Sequence, residues 1–399
     1  MTPVAAVSRR RGAAQGSSVQ QTAPVIPFTA AAHEHQEPAF DVSTTLGASG
    51  VQLGPFDVPA FGYIRHIVLV ATASGGTLGA GVLAADHPFN VIQSINISDV
   101  NGAPIVGPID GFGLLQANIF GAPGEARPDP RLLSTFSNTI NGGFQLRLPI
   151  EIDRSSGLGA LANQNAAASY KVTITTNPST VVYSTAPTTP ATWRFRGFLE
   201  AWTLPNSVDV AGRPQAQLPP AHGTTHYISQ FNRSVVAGTN TVLLPRVGNL
   251  IRYLIFIARD NTAGTPRNDT VFPDPVSLNW DARGLYIQLP QTYCINRMLE
   301  QLVNSTNQAL TANSRDTGVF AFSYANIDHG FAGDDEPTLW LPTVQSSRLE
   351  ITGPSVTAGN IQVITGDVAP VEVTPAERFV ETSDTGFHPA IGVANPAAQ

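Results

Sequence analysis

Apolar residues along this chain recur with the two-residue period of β-strands, and the same runs occur twice in the same order. The segment Tyr63–Ala71 (YIRHIVLVA) reappears as Leu250–Ala258 (LIRYLIFIA). The other matched pairs are Ser94–Gly102 with Ser277–Gly284, and Lys171–Thr175 with Arg348–Thr352. One match would mean little, because strands share few residue types. Several matches in one order at similar spacing predict two tandem copies of one β-rich domain.

The pattern predicts short strands in both copies, separated by clusters of Gly, Pro and Asn. In the first copy the predicted strands are Ile64–Val70, Val91–Ile97, Phe144–Ile152, Tyr170–Thr175 and Phe195–Trp202. In the second copy they are Val242–Leu244, Ile251–Ile257, Leu285–Leu289, Val319–Tyr324, Arg348–Ile351 and Ile361–Ile364.

A helix is predicted at the same place in each copy, about eight residues after Gly102 and after Gly284. In the first copy, Asp110 can cap a short helix; in the second, apolar residues fall on one helical face. These apolar residues are Leu114, Leu115 and Ile119 in the first copy, and Met298, Leu299, Leu302 and Val303 in the second. Short strands with one helix between two of them favour a jelly roll over an up-and-down barrel. Tandem immunoglobulin-like sandwiches would explain the strands but not the helices.

We therefore predict an all-β chain of two tandem eight-stranded jelly rolls, each with a short helical insertion, flanked by extended arms. The predicted boundaries are an N-terminal arm at 1–40, a first roll at 41–205, a proline-rich linker at 206–225, a second roll at 226–372 and a C-terminal tail at 373–399. Each roll is long enough to bury a core of ordinary size.

Composition narrows the possible roles. Of the 399 residues, 42% are apolar and only 13% are charged, so we expect other subunits to cover much of the exterior. The net charge of −7 argues against sequence-specific nucleic-acid binding. Cys294 is the only cysteine and is predicted to be a buried hydrophobe. No segment approaches the roughly 20 apolar residues of a membrane span, and Arg9-Arg10-Arg11 lacks the apolar stretch of a signal peptide.

Three clusters of ionisable residues were weighed as chemical sites. His33-Glu34-His35 lacks a third metal ligand, so we interpret it as a solvated segment of the arm. Asp86-His87 lacks a recognisable nucleophile, so we expect it to form a hydrogen bond within its loop. Asp334-Asp335 before Pro337 is typical of a turn, and a weak structural calcium site there stays open. We predict no catalytic residue, no cofactor and no enzymatic activity.

Several segments resemble a known family. The segments are Phe56–Val58, Tyr63–Ala71, Phe89–Ile95, Leu158–Asn163 and Asn249–Asn261. In sequence and order they are similar to the strands of the major capsid proteins of tectivirus-type phages, within the wider double jelly-roll lineage. The resemblance covers most of residues 50–370, while the arm and the tail match only in character.

The resemblance implies a virion protein that is made and assembled in the host cytoplasm. It implies a homotrimer with a pseudo-hexagonal outline, which tiles an icosahedral shell around an internal membrane and a double-stranded DNA genome. Neighbouring trimers, vertex (penton) proteins and minor capsid proteins are the implied partners. Arg9, Arg10 and Arg11 would face the internal lipid membrane from the N-terminal arm.

Two alternatives stay open at this point. The first is a phage spike or receptor-binding protein, although no fibrous repeat is visible. The second is a β-sandwich carbohydrate-binding protein or enzyme, which would need exposed aromatic side chains in a groove. The four tryptophans lie in strand-like or apolar segments, which favours a place in the core: Trp193, Trp202, Trp280 and Trp340.

Overall fold

The computed structural model describes residues 25–121, 139–244, 248–262, 264–281, 283–301, 317–325, 340–343 and 347–369. In the first half the strands are β1 Glu34–Thr45, β2 Gln52–Asp57, β3 Tyr63–Thr77, β4 Val82–Leu83, β5 Ile92–Ser98, β6 Pro104–Ile109, β7 Thr139–Pro149, β8 Leu161–Ala162, β9 Lys171–Thr176, β10 Tyr183–Thr185 and β11 Thr192–Trp202. The helices of this half are α1 Phe28–Ala31, α2 Gly111–Gly121 and α3 Ser179–Val182, with a 3-10 turn at Phe89–Val91.

The second half repeats this order. Its strands are β12 Thr225–Val235, β13 Gly238–Leu244, β14 Leu250–Asp260, β15 Val276–Trp280, β16 Arg283–Leu289, β17 Val319–Ser323, β18 Leu341–Pro342, β19 Leu349–Ser355 and β20 Gly359–Ala369. A 3-10 turn lies at Asp269–Val271, and helix α4 spans Gln291–Gln301.

Each half folds into two four-stranded sheets with the same strand order. The first half contains β1-β11-β3-β7 and β2-β9-β5-β6, and the second contains β12-β20-β14-β17 and β13-β19-β15-β16. When the eight main strands of each half are counted along the chain, the orders are 1-8-3-6 and 2-7-4-5 in both halves. This is the jelly-roll topology, so the prediction of two tandem jelly rolls is confirmed. In each roll we call the two sheets the 1-8-3-6 sheet and the 2-7-4-5 sheet.

The matched sequence segments occupy equivalent strands. Tyr63–Ala71 and Leu250–Ala258 lie in the third strand of their rolls, and the other two pairs lie in the fourth and seventh strands. The repeat extends to small elements as well. The two-residue strands β8 and β18 both pair with the third strand, and a 3-10 turn precedes the fourth strand in each roll.

The two rolls share one sheet. Strand β6 at the edge of the first roll's 2-7-4-5 sheet runs parallel to β12 at the edge of the second roll's 1-8-3-6 sheet, with Val106 opposite Ile228. The result is one nine-stranded sheet that crosses from roll to roll. Both edges are thereby removed from water, which stabilises the junction.

The first roll begins before residue 40, where the sequence analysis ended the N-terminal arm. Strand β1 pairs with β11 from Glu34 to Thr45, and the ring of Phe28 in α1 packs edge-on against Tyr63 and Trp202. Only one β1 side chain, Phe40, is buried. A strand that faces water on one side and carries a proline gives a weak sequence signal. Residues 1–24 and 370–399 lie outside the described chain.

Aromatic side chains fill both cores. In the first roll Trp193 packs with Phe144 and with Phe195, and in the second Phe272 and Phe320 stack with their ring centroids 4.0 Å apart. Burial of one such side chain contributes about 1.5 to 3 kcal/mol. In the described residues, no helix has the length and apolar character needed to cross a bilayer.

Candidate functional site

The predicted chemical residues do not converge on one place. Arg9, Arg10, Arg11, Asp334 and Asp335 lie outside the described residues. Among the residues that the structure describes, no three His, Cys, Asp or Glu side chains are grouped as a metal ion would require. Cys294 is buried as predicted, and burial raises the pKa of its thiol to about 11.

The segment His33-Glu34-His35 belongs to the sheet rather than to a free arm. Glu34 accepts hydrogen bonds from Arg154, at 2.6 Å, and forms an ion pair with the buried guanidinium of Arg65 at 3.0 Å. The ring of His35 stacks on Phe61 with centroids 3.9 Å apart. These contacts fasten the first strand to its roll, and they give the segment a structural role.

Asp86 joins the two rolls, whereas the sequence analysis gave it only a loop hydrogen bond. Its carboxylate oxygens contact Arg259 Nη1 at 2.6 Å and Arg267 Nε at 2.7 Å, and both arginines belong to the second roll. The Asp86 side chain is only 4% exposed. Arg267 also stacks over the ring of Phe112 in helix α2, with its guanidinium carbon 4.6 Å from the ring centroid. A buried carboxylate between two arginines is well compensated, and loss of the carboxylate would remove the group that both guanidinium groups share.

Helix α2 lies between the rolls, capped as predicted by Asp110. The Gly113 amide donates to Asp110 Oδ1 at 2.6 Å, which satisfies one free amide of the first helical turn. The other carboxylate oxygen accepts from Gln362 Nε2 at 2.7 Å and Gln230 Nε2 at 3.2 Å, both on the second roll. Burial raises the pKa of Asp110 against these hydrogen bonds. One side chain therefore caps a helix of the first roll and holds the second.

The helix approaches the second roll closely because glycine lines the contact. A Cβ atom on Gly121 would lie 2.5 Å from a ring carbon of Tyr253, and one on Gly366 would lie 2.2 Å from the same ring. A Cβ on Gly113 would lie 2.9 Å from Cδ1 of Ile364. The Tyr253 ring thus fills the space that Gly366 leaves in the second roll and Gly121 leaves on α2, and larger residues at positions 113 and 121 would separate the rolls.

The last carbonyls of α2 receive donors from the second roll. Arg252 Nη2 donates to the Gly121 carbonyl at 3.1 Å, and Ser323 Oγ donates to the Phe120 carbonyl at 3.3 Å. A cation at a helix C-terminus is favoured by the helix dipole. Arg252 also lies 3.2 Å from His226 Nε2, and burial together with this positive charge lowers the pKa of His226 well below its usual value. His226 is therefore neutral at pH 7.

We define the inter-roll contact as α2 and Asp86 of the first roll, packed on β14 and β20 of the second roll. Sequence reasoning placed the helix and its cap correctly but missed this contact. Helix α2 is buried all round and contains two buried amides, Gln116 and Asn118. A helix without a charged or exposed face was the signal that it is covered on every side. The arrangement fixes two rolls as one body and brings no reactive groups together.

The tryptophans do not form an exposed platform in the described residues. Trp193, Trp202 and Trp340 are buried, and Trp280 packs half-buried against the core. A carbohydrate groove needs exposed aromatic faces, so this placement does not support the carbohydrate-binding alternative.

Comparison with solved structures identifies the fold. The chain is similar to the protein in the atomic structure of Sulfolobus turreted icosahedral virus, with a TM-score of 0.59 and 12% identity over 88% of this chain and 96% of that one. It is similar to the capsid protein of PBCV-1 virus, with a TM-score of 0.55 and 10% identity over 84% and 93% of the two chains. The major capsid protein of bacteriophage PM2 gives 0.51 and 10% over 85% and 98%. At these identities the likeness shows a shared double jelly-roll fold. No family model matches the chain, and no curated protein sequence matches it.

Proposed function

We propose that this chain is a major capsid protein, the repeated coat subunit of an icosahedral virus, with a structural role and no enzymatic activity. One observation carries the proposal: the double jelly roll corresponds to proteins from icosahedral virus and capsid structures over 84–88% of this chain and 93–98% of theirs. The low charge supports it, because a coat subunit turns much of its surface toward neighbours.

We further propose that the coat subunit is a homotrimer. Each chain supplies two rolls of the same strand order, fixed side by side by the inter-roll contact. Three such chains around a three-fold axis would present six similar lobes, so a trimer can occupy a hexagonal place in a shell. Neighbouring trimers would then tile the surface, with vertex and minor capsid proteins at positions that trimers do not fill.

The narrower proposal is a membrane-containing phage of the tectivirus type, in which the shell surrounds a lipid membrane and a double-stranded DNA genome. Arg9, Arg10 and Arg11 in the N-terminal arm would contact anionic lipid headgroups, at about 1 kcal/mol for each arginine. Deletion of residues 1–20 should lower particle yield and lipid retention. Particles with normal yield and normal lipid content would reject the role of the arm.

Negative-stain images of the purified full chain test the coat function directly. Six-sided plates are the expected result. Isolated monomers that bind sugars on a glycan array would overturn the proposal in favour of a carbohydrate-binding protein. Elongated trimers that attach to host cells would overturn it in favour of a spike.

A further inference from the structure

We propose that α4 and β16 of the second roll bind the first roll of another copy of this chain, in the way that α2 and β6 bind the second roll within one chain. The binding surface on the other copy is the outward face of β3 and β11, beside the edge strand β1. The inference rests on the proposed trimer and names the surface that would hold it together.

Helices α2 and α4 occupy equivalent positions on their rolls. The Asn118 side chain bonds to the backbone N and O of Arg147 in β7, both at 2.8 Å. Likewise, Met298 Sδ accepts from the backbone N of Ala321 in β17 at 3.3 Å. Arg147 lies opposite Val68 and Ala321 lies opposite Ile255, and these two residues match in the repeated segments. Asn118 and Met298 are therefore equivalent.

Counting back along the two helices pairs Gly113 with Tyr293 and Gln116 with Asn296. Gly113 and Gln116 are buried in the inter-roll contact, whereas Tyr293 is 52% exposed and Asn296 is also exposed. The same face of the helix is thus covered in the first roll and open in the second.

The fifth strand of each roll shows the same difference. Ile105 and Val106 of β6 are buried where that strand meets β12. Leu285 and Ile287 of β16 are 37% and 68% exposed. Within the described residues, β16 ends its sheet without a further strand. An apolar strand edge next to an open helix face is typical of a protein interface.

The first roll offers the matching surface. The face of β14 and β20 on which α2 lies contains six residues, and strand register gives each a counterpart in the first roll. The residues of the second roll are Tyr253, Ile255, Ile257, Gln362, Ile364 and Gly366; the counterparts are His66, Val68, Val70, Arg196, Phe198 and Glu200. Val70, Arg196 and Phe198 are partly exposed, whereas their counterparts Ile257, Gln362 and Ile364 are buried.

The Cβ position of Gly113 lies against Ile364 and Gln362, so Tyr293 at the equivalent position should lie against Phe198 and Arg196 of the other copy. The helix would lie farther from the sheet than in the inter-roll contact, because Tyr293 has a side chain where Gly113 has none. An aromatic ring there can stack on both the phenyl ring and the guanidinium group. Strand β1, which ends its sheet within the described residues, would lie beside β16 as β12 lies beside β6.

The two contacts differ in charge. Arg259, which binds Asp86 inside the chain, is replaced at the matching position of the first roll by Thr72. The contact between copies therefore lacks this part of the buried charge cluster, and its apolar and aromatic side chains lie beside Arg196 and the His66–Glu200 pair. We expect it to be the weaker of the two, so that chains fold before they associate.

Thiol cross-linking of full chains tests the surface. Two single variants, Tyr293→Cys and Phe198→Cys, are mixed, allowed to exchange and treated with a short bis-maleimide. The expected product is a linked pair of chains, and the double variant should give linked species up to three chains. Val356→Cys replaces Tyr293→Cys as the control, because Val356 is 75% exposed on another loop. The native Cys294 is buried, and its raised pKa keeps it unreactive.

Sedimentation of Ile287→Asp gives the second measurement, with Val356→Asp as its control. Ile287→Asp should weaken association at least tenfold, whereas Val356→Asp should sediment like the wild type. If the wild type is trimeric but Ile287→Asp associates normally and Tyr293→Cys does not cross-link to Phe198→Cys, the proposed surface is wrong and the coat function stands. If the wild type is monomeric at every concentration, the proposed trimer itself fails.

Discussion

Helices α2 and α4 occupy the same position in the same fold, yet their compositions are opposite. Helix α2 has the sequence GFGLLQANIFG, without one charged residue, and is buried all round. Helix α4 has the sequence QTYCINRMLEQ, and its exposed residues include Thr292, Tyr293 and Asn296. The two helices attach to equivalent strands through equivalent residues, so the roll itself does not account for their different compositions. We attribute the difference to what covers the outer face of each helix.

The comparison shows that the composition of a helix reflects what covers it more than the fold to which it belongs. In the first roll the neighbour is another part of the same chain, which is always present, so the contact includes a buried charge cluster and glycines without side chains. In the second roll the proposed neighbour is another molecule. This surface is exposed to water before the molecules associate, so it contains polar residues and only a few apolar ones.

The largest expected effect comes from breaking the charge cluster that only the inter-roll contact contains. Asp86→Ala leaves Arg259 and Arg267, whose side chains are only 18% and 13% exposed, without their carboxylate, so the free energy of unfolding should fall by about 3 kcal/mol. Urea denaturation measures this loss in the free energy of unfolding without adding salt that would screen the charges. Asp41→Ala, which removes an exposed pair with Arg194, is the control and should change little. Equal losses in the two variants would show that Asp86 does not hold the rolls together.

The next effect comes from filling the space between the rolls. Gly121→Ala places a methyl group of helix α2 against the Tyr253 ring of the second roll and should cost about 2 kcal/mol. Gly47→Ala is the control, because a Cβ there would meet nothing within 4 Å. A neutral Gly121→Ala, measured by the same urea titration, would mean that the close approach of the rolls is not required.

A smaller effect depends on pH and comes from His87. Burial lowers the pKa of His87 to about 4, from an ordinary value near 6.5. Folding therefore favours the neutral imidazole. The stability that the neutral His87 contributes is fully present above pH 6.5 and is lost as the pH falls toward 4. At pH 5 the loss should be about 2 kcal/mol.

Replacement of His87 should remove that part of the acid sensitivity. His87→Gln is compared with the wild type by urea denaturation at pH 7.5 and pH 5, and the variant should lose about 2 kcal/mol less on acidification. His33→Gln, at an exposed position, should behave like the wild type. The same acid loss in His87→Gln and wild type would refute the role of His87.

The smallest effect on folding is expected at the open surface of the second roll. Leu285→Ala should lower the free energy of unfolding of the isolated chain by less than about 1 kcal/mol, because the side chain is already partly in water. It should nevertheless weaken association in sedimentation experiments. A large loss of stability without any change in association would show that Leu285 belongs to the core of its own roll.

The sequence analysis found the strands whose segments repeat in both rolls, and it missed elements without a recognisable repeat. The third strands were found in both rolls because both faces of each strand are largely covered, which makes their apolar runs long. The fourth and seventh strands were found because their segments repeat in the same order. Asp110 was identified as a cap because a cap acts within its own helical turn. Strand β6 was missed because two prolines and a glycine interrupt its six residues.

The inter-roll contact could not be predicted because its partners are far apart along the chain. Arg267 is 181 residues from Asp86, and Gln362 is 252 residues from Asp110. No local periodicity encodes such pairs. Their place depends on how one roll is rotated against the other, which strand patterns leave undetermined.

The most direct test of the central claim, that one contact is used twice, is a cryo-EM map of the purified and assembled chain. The pair formed by the first and second rolls within a chain is superposed on the pair formed by the first roll of one chain and the second roll of its neighbour. We expect six lobes around a three-fold axis, with α4 on the neighbour's β3 and β11 as α2 lies on β14 and β20. A map in which chains associate through any other surface, with α4 still facing solvent, would contradict the account.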